Sequence, residues 1–264
     1  MSRMEKIKIA LCQANTEWED AQSTVNALEP AVLRFCRKMT PDILVFPETY
    51  SVGFTMNPAV AEPVDGLSVS WLRKMASLTG AATVGSVPVI ENGKRYNRCC
   101  FFTPEGTGYF YDKRHLFNPS GEGATYTPGR KRCTVSYKGW NIELNVCYDL
   151  RFPVWSRNVG NRYDLMINIA NWPSVRIGAA DILARARAVE NVSYFVFCNR
   201  VGEDAVCSYN GHSVILDYFG KRISEKKTVG GVSFLHATLD RESLAQFREK
   251  FPAWKDADSF EVNV

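Results

Sequence analysis

The chain has 264 residues, 45% apolar and 23% charged, an ordinary globular mix. Lys and Arg outnumber Asp and Glu by 32 to 28, a net charge of +4 without basic runs, which gives no support for a nucleic-acid partner. No apolar stretch reaches the ~18 residues of a membrane span. A chain this long can bury roughly 70–75% of its unfolded surface, so it needs no disulfide or metal to fold.

Lys6–Gln13 alternates and then turns apolar, which predicts a strand entering a core. Ser23–Met39 has helical spacing, with Pro30 expected to kink or restart the helix. Asp42–Pro47 is a short buried-type strand with Glu48 just beyond it. Ser68–Leu78 is a second helix, with Gly80 as its C-cap. Ala82–Ile90 and Arg95–Phe102 form a hairpin about Asn92-Gly93, and Tyr109–Lys113 is another strand. His115–Arg130 is a long loop rich in Gly, Pro, Ser and Thr, and loops of that length are often functional.

Strands follow near Arg132–Tyr137 and Trp140–Cys147, then a helix over Phe152–Asn161 with Pro153 in its first turn. Asp164–Ala170 is a buried strand. Ala179–Tyr194 is a helix expected to turn Ile182, Leu183, Ala186 and Val189 inward. Tyr194–Arg200, His212–Asp217 and Val232–Leu239 read as strands, and Asp240 can cap a last helix, Arg241–Lys250. Hairpins and crossovers mix throughout, so a mixed α/β sheet system covered by helices is expected. Nothing divides the composition, so residues 1–264 are expected to form one domain, with a polar and aromatic tail from about 251 to 264.

The eight cysteines contain no C-x-x-C spacing. Cys99 and Cys100 are neighbours in a strand and should point to opposite faces. No leader-like run opens the sequence, and a reducing, cytoplasmic setting is expected. Most of these thiols should be small core hydrophobes. Cys147 differs, because it ends a strand and precedes a predicted helix whose positive end would favour a thiolate. Glu48 and Lys113 also stand at strand ends, where α/β folds place reactive groups. A carboxylate can take the proton of a thiol and an ammonium can favour the resulting anion, so Glu, Lys and Cys can perform acyl transfer without histidine. Sequence distance alone does not bring the three together.

The segments VFPET, YDKRHLF and NVCYDLRFP, in that order and at these separations, resemble the nitrilase superfamily of carbon–nitrogen hydrolases. Further similar segments are Gly121-Glu122, Arg185–Asn191 (RARAVEN) and Gly211–Gly220 (GHSVILDYFG), so the resemblance runs from about Ile7 to about Lys250. It implies a four-layer α-β-β-α sandwich and a homodimer or larger homo-oligomer. It implies Cys147 as nucleophile, Glu48 as general base and acid, Lys113 beside the oxyanion, Glu122 orienting the lysine, and the Tyr148 backbone N–H as second oxyanion donor. The implied reaction passes through a cysteine thioester. Three scattered histidines without clustered Cys or Asp do not suggest a metal site, and no P-loop or G-x-G-x-x-G stretch suggests a nucleotide, so no cofactor or metal is expected.

Cys147-Tyr148-Asp149 is similar to the amidase branches rather than to nitrile hydrolases. Glu48–Asn57 (ETYSVGFTMN) and Ala170–Arg176 (ANWPSVR) resemble bacterial omega-amidases, which act on 2-oxoglutaramate and 2-oxosuccinamate. The partner is then a small-molecule amide, with no role for nucleic acid or membrane. A small anionic substrate needs a cation, and Arg176 is the first candidate, Arg151 the second. Arg176 can equally be a surface arginine. Phe54 and Trp172 can wall the pocket or simply pack the core. The alternatives are an N-carbamoyl or aliphatic amidase, a binding protein on the same fold, and a thiol hydrolase pairing Cys147 with His115 or His212.

Overall fold

The computed structural model describes residues 6–263. Strand β1 (Lys6–Gln13) shows how its sheets are made. Ile7, Ile9 and Leu11 face one apolar core, while Ala10 and Cys12 face another. Strand β2 (Ile43–Val45) splits the same way, as does β4 (Lys94–Phe102) with Cys99 and Phe101 against Cys100 and Phe102. This is the period of two that a sheet covered on both faces requires. The adjacent cysteines therefore lie on opposite faces, and both are free.

The first sheet has seven strands. With β3 (Ala82–Glu91), β5 (Gly108–Asp112), β13 (Glu225–Val229) and β14 (Val232–Asp240), its order is β13-β14-β1-β2-β3-β4-β5. It is parallel where β1, β2 and β3 meet and antiparallel elsewhere. The second sheet orders β12 (Val214–Leu216), β9 (Tyr194–Asn199), β8 (Leu165–Ala170), β7 (Trp140–Val146) and β6 (Thr134–Tyr137), with β7, β8 and β9 parallel. The two sheets share one core. Helices α1 (Ala21–Met39) and α2 (Leu67–Thr79) pack on the first sheet, and α5 (Ile177–Asn191) and α6 (Arg241–Lys250) on the second. The architecture is the four-layer α-β-β-α sandwich. No helix among the described residues is long and apolar enough to cross a membrane.

Several elements differ from the sequence expectation. Helix α1 runs through Pro30 without restarting. A proline inside a helix costs about 3 kcal/mol, but Val25, Leu28, Val32 and Phe35 are all buried beneath it, at about 1.5–3 kcal/mol each. The expected Phe152–Asn161 helix is only the short turn α4 (Pro153–Ser156). The chain leaves it at Arg157, and Gly160 has a φ of 64°. Cys147 therefore opens a 3-10 turn, Cys147–Arg151, and gains no long helix dipole.

Helix α5 ends at Asn191 and buries Ala180, Ala184, Arg187, Ala188 and Asn191, while Ile182 and Val189 are exposed. Leu183 does pack against the core, but small residues let the helix approach the sheet, so the face turned inward is the alanine stripe rather than Ile182 and Val189. The 115–130 loop contains a 3-10 turn, Asn118–Ser120, and one α-helical turn, α3 (Glu122–Thr125). Strand β13 has the polar sequence EKKTV, which carries no alternation. The hairpin of β10 (Val201–Glu203) and β11 (Ser208–Asn210) was also unforeseen.

Candidate active site

The ends of β7 and β8 open on one cavity of ≈ 530 Å³ through Cys147 and Asn171, and the residues just beyond β2 and β5 join this point through hydrogen bonds to Asn171 and to each other. Beyond β2, Phe46 and Pro47 lead to Glu48, which is 1% exposed. Lys113 follows β5 and is 0% exposed, with its backbone N–H donating to the Asn97 carbonyl. Cys147 follows β7 directly, with a φ of 46°, a left-handed conformation that a β-carbon disfavours. Glu122 opens α3 behind Gly121, whose φ of 79° lets the loop reverse and return the carboxylate to the core.

Three of the predicted groups touch. Lys113 Nζ donates to Glu48 Oε1 at 2.8 Å and to Glu122 Oε1 and Oε2 at 3.0 and 2.8 Å. Asn97 Nδ2 donates to Glu48 Oε1 at 2.8 Å and to Glu122 Oε1 at 3.3 Å. The Asn171 backbone N–H donates to Glu48 Oε2 at 2.9 Å, leaving that oxygen room for another proton donor. The Asn171 side chain holds the Glu48 carbonyl at 2.6 Å.

The charges are strongly coupled. Burial alone would lower the Lys113 ammonium, but Glu122 and Glu48 outweigh it and raise its pKa. Burial raises the Glu122 carboxyl, against the opposing pull of Lys113. Burial and the Glu48 carboxylate hold the Cys147 thiol well above its ordinary range, while Lys113 opposes them. Cys147 is thus held as a thiol beside Glu48.

The turn after Cys147 is fixed from several sides. Asp149 is fully buried and accepts from the Val146 N–H at 3.0 Å, the Tyr111 hydroxyl at 2.7 Å and the His115 N–H at 2.9 Å. It ties the cysteine turn to the strand that carries Lys113. Arg187 of α5 donates to the Leu150 carbonyl at 2.6 Å. His115 Nδ1 lies 2.7 Å from Asp149 Oδ1, and its ring stacks on Phe152. His212 sits beside Asp181 on the surface. Neither histidine forms a hydrogen bond to Cys147 among the described residues.

Tyr148, Phe54, Trp172, Arg176 and Arg151 all line the cavity with Cys147. Phe54 also lies 5.0 Å from Lys113 Nζ, across the ring face. Arg151 lies 5.1 Å from the Trp172 ring, and Arg176 5.1 Å from the Phe117 ring. Neither arginine forms an ion pair among the described residues. Sequence reasoning missed Asn97, Asn171, Asp149 and Arg187. The last three lie inside segments that carried the resemblance, whereas nothing in the sequence around Asn97 marks it.

Fold and strand-end cluster together define a hydrolase of carbon–nitrogen bonds. Residues 8–249 match the family model described as carbon-nitrogen hydrolase, and the chain belongs to that family, within the nitrilase superfamily. It is 40% identical over 258 residues to an omega-amidase, YafV, of Yersinia enterocolitica, covering 97% of this chain and 99% of that one. It is 32% identical to a 2-oxoglutaramate amidase of Bacillus subtilis, covering 81% and 84%. The structure superposes on XC1258 of Xanthomonas campestris, a CN-hydrolase superfamily protein, with a TM-score of 0.90 and 38% identity over 98% and 100% of the two chains. That crystal structure carries an arsenic adduct in its active site. The protein is accordingly an amidohydrolase acting on linear amide bonds.

Proposed function

We propose that the protein is an omega-amidase, releasing ammonia from the terminal amide of 2-oxo dicarboxylic acid monoamides such as 2-oxoglutaramate and 2-oxosuccinamate. The observation that carries this reading is the pairing of a buried Glu48–Lys113–Glu122–Cys147 cluster with two cavity arginines that have no acidic partner among the described residues. The cluster suits amide chemistry, and Arg176 or Arg151 suits the substrate carboxylate. The names borne by the relatives agree.

In this reaction Glu48 takes the proton of Cys147, and the sulfur attacks the amide carbonyl. Lys113 and the Tyr148 N–H meet the charge that develops on oxygen, each such donor being worth ~10²–10³ in rate. Glu122 accepts two of the lysine's hydrogen bonds and orients it. Glu48 returns the proton to the departing ammonia, leaving a thioester on Cys147. Glu48 then takes a proton from water, which attacks the thioester and frees the 2-oxo acid and the thiol.

Ammonia release from 2-oxoglutaramate, an N-carbamoyl amino acid and butyramide tests the reading, with Cys147→Ala in parallel. Turnover of 2-oxoglutaramate well above the others is expected, together with its loss in the variant. Release from butyramide without release from 2-oxo acid amides overturns the substrate assignment. Turnover in Cys147→Ala overturns the nucleophile.

A further inference from the structure

The hairpin β10–β11 belongs to neither large sheet. A two-stranded hairpin is marginal by itself in water, yet this one supplies Asp204, Val206, Cys207 and Tyr209 to the lining of the cavity. What holds it is Arg200, whose side chain is 0% exposed. Its guanidinium donates to Asn15 Oδ1 at 3.2 Å, to the Thr16 carbonyl at 3.3 Å and to the Glu203 carbonyl at 3.2 Å. It lies 4.5 Å from the Tyr209 ring, and its Nη1 is 3.8 Å from Asp204 Oδ2. A β-carbon on Gly53 would sit 3.0 Å from the Trp18 ring and 3.3 Å from Arg200 Nη1, so the Glu48–Asn57 loop closes against the same arginine.

Asp204 completes the brace. Its Oδ1 accepts from the Val206 and Cys207 N–H groups at 2.9 and 2.8 Å, and its Oδ2 from the Tyr209 hydroxyl at 2.7 Å. An unpaired carboxylate in a cavity for anions would repel them. This one is turned into its own hairpin and faces a buried guanidinium. Ser174 Oγ ties the Ser208 carbonyl to the segment that carries Trp172 and Arg176. By contrast, no residue of the hairpin forms a hydrogen bond to Glu48, Lys113, Glu122 or Cys147 among the described residues.

We propose that the 201–210 hairpin, braced by Arg200, Asp204 and Tyr209, is a specificity wall that limits the length of acyl chain the cavity accepts. The cavity, at ≈ 530 Å³, falls in the range that holds drug-sized ligands. Four of its lining residues come from the hairpin, so where that hairpin stands sets how far an acyl chain can extend from Cys147. Arg200 is a positioning residue, and Tyr209 and Val206 are the wall's surfaces. Val206 is 85% exposed at the hairpin tip, so trimming it removes no core packing.

Two variants, Tyr209→Phe and Val206→Gly, test the wall through two readouts. The first needs no assumed substrate: alkylation of Cys147 by N-methylmaleimide and N-phenylmaleimide, followed at the Cys147 peptide by mass spectrometry so that Cys207 is counted separately. The ratio of large-reagent to small-reagent rate should rise at least threefold in both variants. The second readout rests on the omega-amidase reading: kcat and KM for the four-, five- and six-carbon 2-oxo acid monoamides. The six-carbon to four-carbon ratio of kcat/KM should rise at least threefold, mainly through KM.

Unchanged ratios, or rates that fall in parallel for all reagents and substrates, overturn the wall and leave the hairpin a purely structural role. If wild-type protein ignores all three 2-oxo acid amides, the omega-amidase reading fails while the labelling ratio still decides the wall. If Tyr209→Phe does not fold, Val206→Gly decides it.

Discussion

Lys113→Met keeps the length of the side chain and removes its charge. Glu48 and Glu122 then remain 1% and 0% exposed with no cation between them. Removing one partner of a buried pair costs about 3–5 kcal/mol. At an unfolding entropy of about 2.1 cal/mol/K per residue, 264 residues translate this into a Tm about 5–9 °C lower. The loss depends on pH. A carboxyl buried without its cation has a folded pKa above its unfolded value of about 4.3. It is protonated in both states below about 4.3, where it carries no penalty, and the penalty grows as pH rises through the folded pKa. The deficit against wild type should therefore be small near pH 4.5 and full at pH 8.

Adding Glu122→Gln removes the excess carboxylate and should restore most of the Tm. It should not restore the rate, which falls ~10²–10³ with the lost oxyanion donor. Thermal melts from pH 4.5 to 8 and ammonia release check both halves. A wild-type Tm at pH 8 in Lys113→Met, or kcat within tenfold of wild type, refutes the reasoning.

Arg176→Ala and Arg151→Ala separate the two cavity cations. Loss of a charge-assisted hydrogen bond costs about 1.5–3 kcal/mol, and solvent exposure favours the low end. Whichever arginine holds the carboxylate should raise KM for 2-oxoglutaramate about tenfold, and at least fivefold more than for butyramide; equal effects on both substrates exclude it. His115→Asn should keep turnover within tenfold, because the ring is committed to Asp149 and Phe152; complete loss would reinstate a thiol–imidazole pair. Burial raises the thiols of Cys12, Cys36, Cys99, Cys100, Cys133, Cys147 and Cys198. Unfolded thiols ionise near 8.5, so above that pH the folded state binds more protons and stability falls, by up to about 1.4 kcal/mol per thiol per pH unit. Melts under reductant from pH 7 to 10 should show a steep decline in Tm, and a flat profile would contradict it.

The strands of the core were legible because alternation fixes both faces at once: Ile7 and Ile9 against Ala10 and Cys12, or Cys99 against Cys100. Turns with obligatory chemistry were legible too, such as Asn92-Gly93, with φ of 51° and 74°, and the Asp240 cap on the Ser243 N–H. Helix α5 was misread because its buried stripe is alanine with Arg187 and Asn191, and a polar residue gains its place only from partners distant in sequence. The hairpin 201–210 was invisible for the same reason. Its stability resides in Arg200 and the 15–16 segment, about 185 residues away in sequence. Glu48, Lys113 and Cys147 stood out by position at strand ends. Asn97 did not, since an asparagine inside a strand acquires meaning only when two carboxylates meet its amide.

The depth of the cluster follows from how its charge behaves in the proposed reaction. With Glu48 and Glu122 ionised and Lys113 protonated, the resting group carries one net negative charge. Passing the thiol proton to Glu48 moves that charge to sulfur without changing the total. Attack moves it again, to the carbonyl oxygen. Creating a charge at low dielectric is expensive, but shifting one between fixed donors is not. A histidine in place of Glu48 would generate a new ion pair at the first step and require solvent or a further carboxylate to support it. The carboxylate–lysine pair already contains both charges, so it can operate with Lys113 and Glu122 fully sealed from water. The strict burial and, among the described residues, the lack of a histidine hydrogen bond to Cys147 are then two consequences of one choice of base.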